Sequence, residues 1–551
     1  MEIMPAQAQH LHTYYLFPFS IDKEGVRETH GHIWKDDARW IDGLDEWIAS
    51  HQAPYLDMVW KRSAYTQFDL NSRAYQDMIF FHPIVRRVFF DTTGQEGSRE
   101  ALLRCYTMQP PVGGKLYYEC DDNKSGKASV EITDLRLFLF ANGIGILSIG
   151  VEAWNIPVKH ALWINEAMRK VYPSSARQIR EGRSPSRSAL VLDQKGTRTR
   201  LAEETAETGV MKGFQPPLAR TIKSLIYFAE YGKQEFEPVL DERMIVYTYL
   251  EIDPASVPQG YKDSEEYQVL LSRLLYVEHD GASYRYDVNF LRERMQEHLY
   301  RRWAHQGTYY GFTSYSNVTV TIGQFDCGGH LLAEGFLIHR MFDSRYYLMA
   351  LVSLFYRATL LDFGERTALV SRRLYESDRH LTPDSVLATN HLRSEFLHFS
   401  NYWHFDELAN KEEELEHFEL QCRFYRISAM KSEIQEEVES LGASIQEHYQ
   451  FRNTEAINRV AMLSLILGIG AMVTGFFGMN FGRAFADTLF EPKEDWPLIH
   501  LSAVTAVILL ALGVLLFSVY VVAVNWADYR DILDPHGKKV RARSLRRDND
   551  A

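Results

Sequence analysis

The sequence predicts an α/β cytoplasmic domain, a long helical stalk and two C-terminal transmembrane α-helices. Three observations predict it. Two long uncharged apolar stretches lie near the C-terminus, at 460–482 and 496–527. A stretch free of proline runs from Pro383 to Pro492 before and through the first of them. Ahead of it, β-rich runs alternate with helical stretches.

Composition bounds the membrane fraction. The chain has 551 residues, 46% hydrophobic and 24% charged, with a mean hydropathy of −0.27. A chain built mostly of membrane helices would score well above zero, so the membrane part is small. The formal net charge of −13 argues against nucleic acid as a partner, because phosphate recognition needs a basic excess. Cys105, Cys120, Cys327 and Cys422 form no CxxC pair, which leaves buried reduced thiols as the simplest reading. The N-terminal twenty residues lack a basic region followed by an apolar run, so no cleaved secretory signal is expected.

The α/β domain is expected over 1–342. Val130 to Phe140 and Ile144 to Val151 flank Asn142-Gly143, a type I′ hairpin signal. Thr13 to Phe17, Met78 to Phe90, Met244 to Ile252 and Tyr309 to Ile322 also read as strands. Helices are expected near Ala161 to Val171, Leu218 to Tyr231, Glu265 to Tyr276, Tyr346 to Leu374 and Ser385 to His398. Gly113-Gly114-Lys115 lacks the full phosphate-loop frame and reads as a turn. The 20 histidines show no HExxH or other ligand spacing and are expected on the surface or in the core. His500 reads as an interfacial side chain. No nucleophile, base and acid can be assembled, so the sequence does not read as an enzyme and calls for no cofactor.

The helical region and stalk are expected over 343–456. From Asp406 to Glu447 there are 12 acidic and 4 basic residues. Leu420, Phe424 and Ile427, then Ile434, Val438, Leu441 and Ile445, recur at helical spacing, the last four as a coiled-coil-like stripe. One helix from about Asp406, with a break near Gly442, would continue directly into the first span. The 11 apolar residues from Tyr346 to Tyr356 are too few to cross a bilayer and read as a buried helix.

The first span is expected over 457–482, an extracytoplasmic loop over 483–496, the second span over 497–527 and a basic tail over 528–551. The loop has two basic residues, Arg483 and Lys493; the tail has seven, from Arg530 to Arg547. That asymmetry places both termini in the cytoplasm of a multi-pass protein of the cell membrane, with lipid as a partner. The short loop is acidic and faces outward, where it would concentrate cations.

The first span ends Thr474-Gly-Phe-Phe-Gly-Met-Asn-Phe481. Gly478-Met479-Asn480 at the outer end of a penultimate helix, followed by a short acidic loop, a final helix and a basic tail, resembles the signature of the CorA family of divalent-cation channels. The physical case stands beside the resemblance. Mg²⁺ sheds water reluctantly, so a pore should first engage the hydrated ion. A ring of neutral carboxamide oxygens from Asn480 accepts hydrogen bonds from that shell without trapping the ion, and Gly478 frees the helix end to turn it inward.

The resemblance implies a homopentamer whose pore is lined inward from Asn480 by Gly475, Ala471 and Gly468, with Ile457 and Val460 as a hydrophobic gate. Family members often carry a proline and a hydroxyl-bearing residue mid-helix, where this chain has Ile469 and Ala471, and Gly468 replaces a bulkier side chain. These departures imply a wider or less selective pore. The family's Mg²⁺-sensing carboxylates have no counterpart at Gly442-Ala443-Ser444. The transported ion is then Mg²⁺ or another divalent cation, with Zn²⁺ or Co²⁺ as alternatives.

One segment has no family counterpart. Arg169 to Arg200 carries nine basic and two acidic residues and is rich in serine. It reads either as a flexible solvated loop or as an anionic-ligand site, with Arg180, Arg183 and Arg187 as its candidates. The second possibility leads to a different function, a membrane effector whose pore is opened by a phosphorylated small molecule. A membrane-anchored binding module without flux is a third.

Overall fold

The structure is a computed structural model. It describes residues 3–21, 58–63, 79–90, 102–122, 126–173, 175–177, 187–205, 218–226, 239–240, 243–280, 286–323, 338–376 and 383–478, together with residue 48 and nine single helical positions between 502 and 520. The chain divides into two compact units, Met1–Leu441 and Gly442–Ala551.

A 12-stranded sheet organises the first unit, in the order β10-β11-β12-β9-β1-β6-β5-β4-β7-β8, with β3 on β5 and β2 on β3. Its centre is β1 (Gln7–Ser20), antiparallel both to β6 (Ile144–Pro157) and to β9 (Ile245–Ile252). The other strands are β2 (Lys61–Arg62), β3 (Leu103–Thr107), β4 (Gly114–Asp122), β5 (Gly126–Phe140), β7 (Arg187–Gln194), β8 (Thr197–Thr205), β10 (Leu299–Tyr300), β11 (Tyr309–Phe312) and β12 (Ser316–Ile322). Among the described residues, only β9 and β12 pair in parallel, joined by a connection that includes two helices, α3 (Glu265–Tyr276) and α4 (Val288–His298).

Every position of β9 is buried, as expected of a strand with both faces covered. Side-chain alternation along β1 feeds two cores. Leu11, Tyr15, Phe17 and Phe19 join one that includes Ala161, Leu162 and Ile164 of helix α2 (Val158–Met168). Tyr14 and Leu16 join the other, with Phe342, Tyr347 and Phe355. A buried polar knot ties α2 to the sheet: the Thr13 hydroxyl reaches Asn165 Oδ1 at 2.9 Å and the Thr248 hydroxyl at 2.7 Å.

The second core lies under α5 (Tyr347–Glu376), α6 (Pro383–His398), α7 (Glu412–Tyr425) and the first turns of α8 (Ile427–Gly478). Among the described residues, Ile338–Leu374 is long and apolar enough to cross a membrane by length and composition, yet 78% of its apolar window is buried inside the protein. It is a core helix, in line with the buried-helix reading of Tyr346 to Tyr356.

Four local expectations change. Of the strand expected over Met78 to Phe90, the described residues 79–90 hold a helix instead: α1 (Pro83–Phe89) starts on a proline, whose fixed φ and missing N–H suit a first helical turn. The β5–β6 hairpin is present, but not as a type I′ turn. Its loop has three residues, only Gly143 has positive φ (+94°), and Gly143 N–H donates to the Phe140 carbonyl at 2.9 Å. That is a turn closed by a left-handed glycine. Asn142 instead uses its side chain, donating to the Thr359 hydroxyl at 2.8 Å and accepting from Ile144 N–H at 3.2 Å.

The stalk helix breaks at Arg426, not near Gly442. Arg426 takes φ +57° and closes α7 by donating to the Cys422 and Arg423 carbonyls, whereas Gly442 sits inside α8. Of the stripe read as coiled-coil-like, Ile434 and Val438 pack into the second core of their own unit. Finally, residues 187–200 are not loop but the β7–β8 hairpin.

Candidate functional site

Helix α8 has 52 residues and is about 78 Å long at 1.5 Å per residue. Its last part, from Ile457 to Gly478, is about 33 Å, enough for a hydrocarbon core of about 30 Å. At 100° per residue, Ile457, Val460, Gly468, Ala471, Gly475 and Gly478 fall within a sector of about 80°. The sequence-derived gate and pore positions therefore share one face. Ile457 is 59% exposed and Val460 64%, and a Cβ added at Gly468 or Gly475 would meet nothing within 4 Å. This face, bulky at one end and small toward the other, is open on the single chain.

Leu463 and Leu467 are exposed as well, as are Leu509, Leu512, Leu516, Phe517 and Tyr520. Met479, Asn480, the 483–496 loop, most of 497–527 and the basic tail lie outside the described residues.

Of the candidate anion site, Arg180 and Arg183 also lie outside the described residues. Arg187 is on β7 and pairs with Glu203 at 2.5 Å. Arg198 pairs with Glu119 at 2.9 Å and Asp193 at 3.3 Å, and Arg200 with Glu203 at 3.6 Å. The basic excess of the described hairpin is thus largely met by carboxylates on neighbouring strands.

Residues 359–520 match a CorA-like family model. The family model they match is described as CorA-like Mg2+ transporter protein. The match takes in most of α5, all of α6 and α7, and all of α8 including the Ile457 to Gly478 face; residues 1–358 lie outside it. No curated protein and no solved structure matches the chain. The matched family is one of divalent-cation transporters.

A second cluster lies in the unmatched part, and the sequence reading missed it. His10 and His12 are two apart on β1, hence on one face of the sheet. His339, on a one-turn helix Ile338–Met341, comes to the same place. One ring nitrogen from each of the three lies within 4.8 Å of the others. Glu152, opposite His12 on β6, reaches His10 Nε2 at 3.3 Å and His12 Nδ1 at 3.9 Å. His12 is 2% exposed; burial lowers its pKa to about 3, against the attraction of Glu152, so it stays neutral. The hydrogen bond to His10 holds the half-buried Glu152 below its ordinary value. The signal available in sequence was His10-Leu-His12 within a strand, and its third member is 327 positions away.

Proposed function

We propose that the protein is a homopentameric channel passing a divalent cation, Mg²⁺ foremost, down its electrochemical gradient. The first unit is its enlarged cytoplasmic regulatory part. One observation carries the reading: residues 359–520 match the CorA-like Mg2+ transporter model. The shared face of α8 supports it. Two helices per chain cannot enclose a pore, and an apolar face left open on one chain calls for copies of itself around an axis.

In this reading the spans are 457–482 and 497–527, in the cell membrane, with both termini cytoplasmic. Asn480 carboxamides form a ring at the outer mouth that accepts hydrogen bonds from the water shell of the ion. Gly475, Ala471 and Gly468 keep the passage wide enough for an ion that retains water. Ile457 and Val460 form the inner constriction, which closes by excluding water and opens when the helices separate. No chemical step on the ion is required, so catalytic residues are not.

Flux into liposomes holding the purified protein tests the proposal, with Mg²⁺, Zn²⁺, Co²⁺ and K⁺ compared. Mg²⁺ uptake well above protein-free vesicles is expected, with K⁺ excluded. Zn²⁺ or Co²⁺ passing in preference would reassign the ion, and absence of any flux would leave a binding module instead of a channel.

A further inference from the structure

The imidazole cluster on β1 has the composition and convergence of a metal centre, in a part of the chain that the family match does not reach. We propose that His10, His12 and His339, with Glu152 as fourth ligand, bind a transition-metal ion of the zinc class in the N-terminal unit.

The donor set decides the class. Three imidazole nitrogens and a carboxylate oxygen suit Zn²⁺ and Co²⁺, whereas Mg²⁺ takes oxygen ligands and keeps its waters. The site would therefore hold a different ion from the one favoured for transport. Zinc ligands about 2.0–2.1 Å from the metal sit about 3.4 Å from one another, so three imidazoles already within 4.8 Å of one another, with Glu152 3.3 Å from His10 and 3.9 Å from His12, need side-chain adjustment to close on an ion. His12 Nδ1 and His339 Nε2, at 2.8 Å, must part slightly. The other nitrogens must draw in.

A set of core histidines satisfied by hydrogen bonds is the simpler alternative, and it is incomplete: His12 Nε2 is buried without a hydrogen-bond partner, as it would stay with a metal on Nδ1. What favours a metal is the convergence of the three rings, one nitrogen of each within 4.8 Å of the others. With its proton on Nε2, His12 turns the lone pair of Nδ1 toward His339 and Glu152. The surroundings also hold the rings in place. Trp154 stacks on His10 with centroids 3.7 Å apart and planes 6° apart, and Phe342 meets His12 edge-on. Trp154 is 59% exposed, so the centre lies beneath a lid one ring thick and within reach of solvent ions.

A metal here would fasten the start of the buried Ile338–Leu374 helix to the central strand. That makes it a structural or sensing centre, since all four ligand positions are filled by protein. The inference is independent of the transport reading, and its failure would leave that reading untouched.

The test uses the full chain, free of any histidine tag, in detergent, stripped with chelator and titrated with Zn²⁺ and with Co²⁺. Expected are one Zn²⁺ per chain by elemental analysis and the intense visible bands of four-coordinate Co²⁺. A hundredfold excess of Mg²⁺ should displace neither. His339→Ala and His10→Ala should each weaken Zn²⁺ binding at least tenfold and abolish the Co²⁺ bands. No stoichiometric Zn²⁺ uptake, or uptake and bands that persist in both variants, overturns the proposal. Should a variant fail to fold by circular dichroism, the wild-type spectrum still decides, because weak six-coordinate Co²⁺ bands or none would overturn it.

Discussion

Arg273 on α3 donates to Glu278 at 3.0 Å, and the two side chains are only 3% and 11% exposed. Tyr286 hydroxyl donates to the other oxygen of Glu278. Burial raises the Glu278 pKa, although Tyr286 and Arg273 pull it back. Removing one partner from such a pair leaves a desolvated charge poorly met. Glu278→Ala should therefore destabilise the first unit by about 3–5 kcal/mol, read as a lower denaturant midpoint. Glu278→Gln, whose single side-chain oxygen keeps an acceptor for one of the two partners, should cost less. Equal losses would mean that packing alone matters there.

The second prediction concerns pH. His417 on α7 is buried among Tyr300, Tyr310, Phe312 and Tyr346, and burial, then the Arg302 charge, lowers its pKa to about 3. His404 is lowered to about 4, by burial and then the Lys431 charge, against Asp406. Both bind protons more readily unfolded, near pH 6.5, than folded. Stability is thus full above pH 6.5 and falls as pH drops toward those values, by about 1.4 kcal/mol per pH unit for each histidine. Unfolding midpoints measured from pH 7.5 to 4.5 should show a shallower slope for His417→Leu than for wild type.

A third follows from the close approach of β1 and β6. A Cβ at Gly145 would lie 2.4 Å from Cζ of Phe19, a ring that is fully buried. Gly145→Ala should cost about 1–3 kcal/mol through overpacking. Combining it with Phe19→Leu should recover part of the loss, and a double variant no better than the sum of its parts would exclude this cause.

For the transport reading, Asn480→Ala should abolish selective divalent flux in liposomes while leaving the oligomer intact by size-exclusion chromatography. Undiminished Mg²⁺ uptake by an assembled variant would remove Asn480 from the selectivity ring.

Orientation is tested with single cysteines at Asp487 and Ser544, after Cys105, Cys120, Cys327 and Cys422 have been replaced. In intact cells an impermeant thiol reagent should label the first and miss the second. The reverse pattern would invert the topology.

Sequence by itself determined what depends on local pattern. Charge-free stretches mark 460–482 and 496–527 as candidate spans, and Gly478-Met479-Asn480 carries a resemblance that the family match over 359–520 bears out. Helical periodicity placed Glu265–Tyr276 to the residue, and β-rich runs placed β1, β5, β6 and β9. Tertiary structure decided what depends on partners far along the chain. The stalk breaks at Arg426 because its stop is a backbone conformation taken without glycine, and Ile434 and Val438 turn inward because a core lies beneath them. The described end of the basic run, residues 187–200, is a hairpin whose Arg187 and Arg198 meet carboxylates on adjacent strands, which no count of charges reveals. His10 and His12 meet His339 only because a buried helix begins above the sheet's central strand. Proximity across 327 positions is a property of the fold, not of any window of sequence.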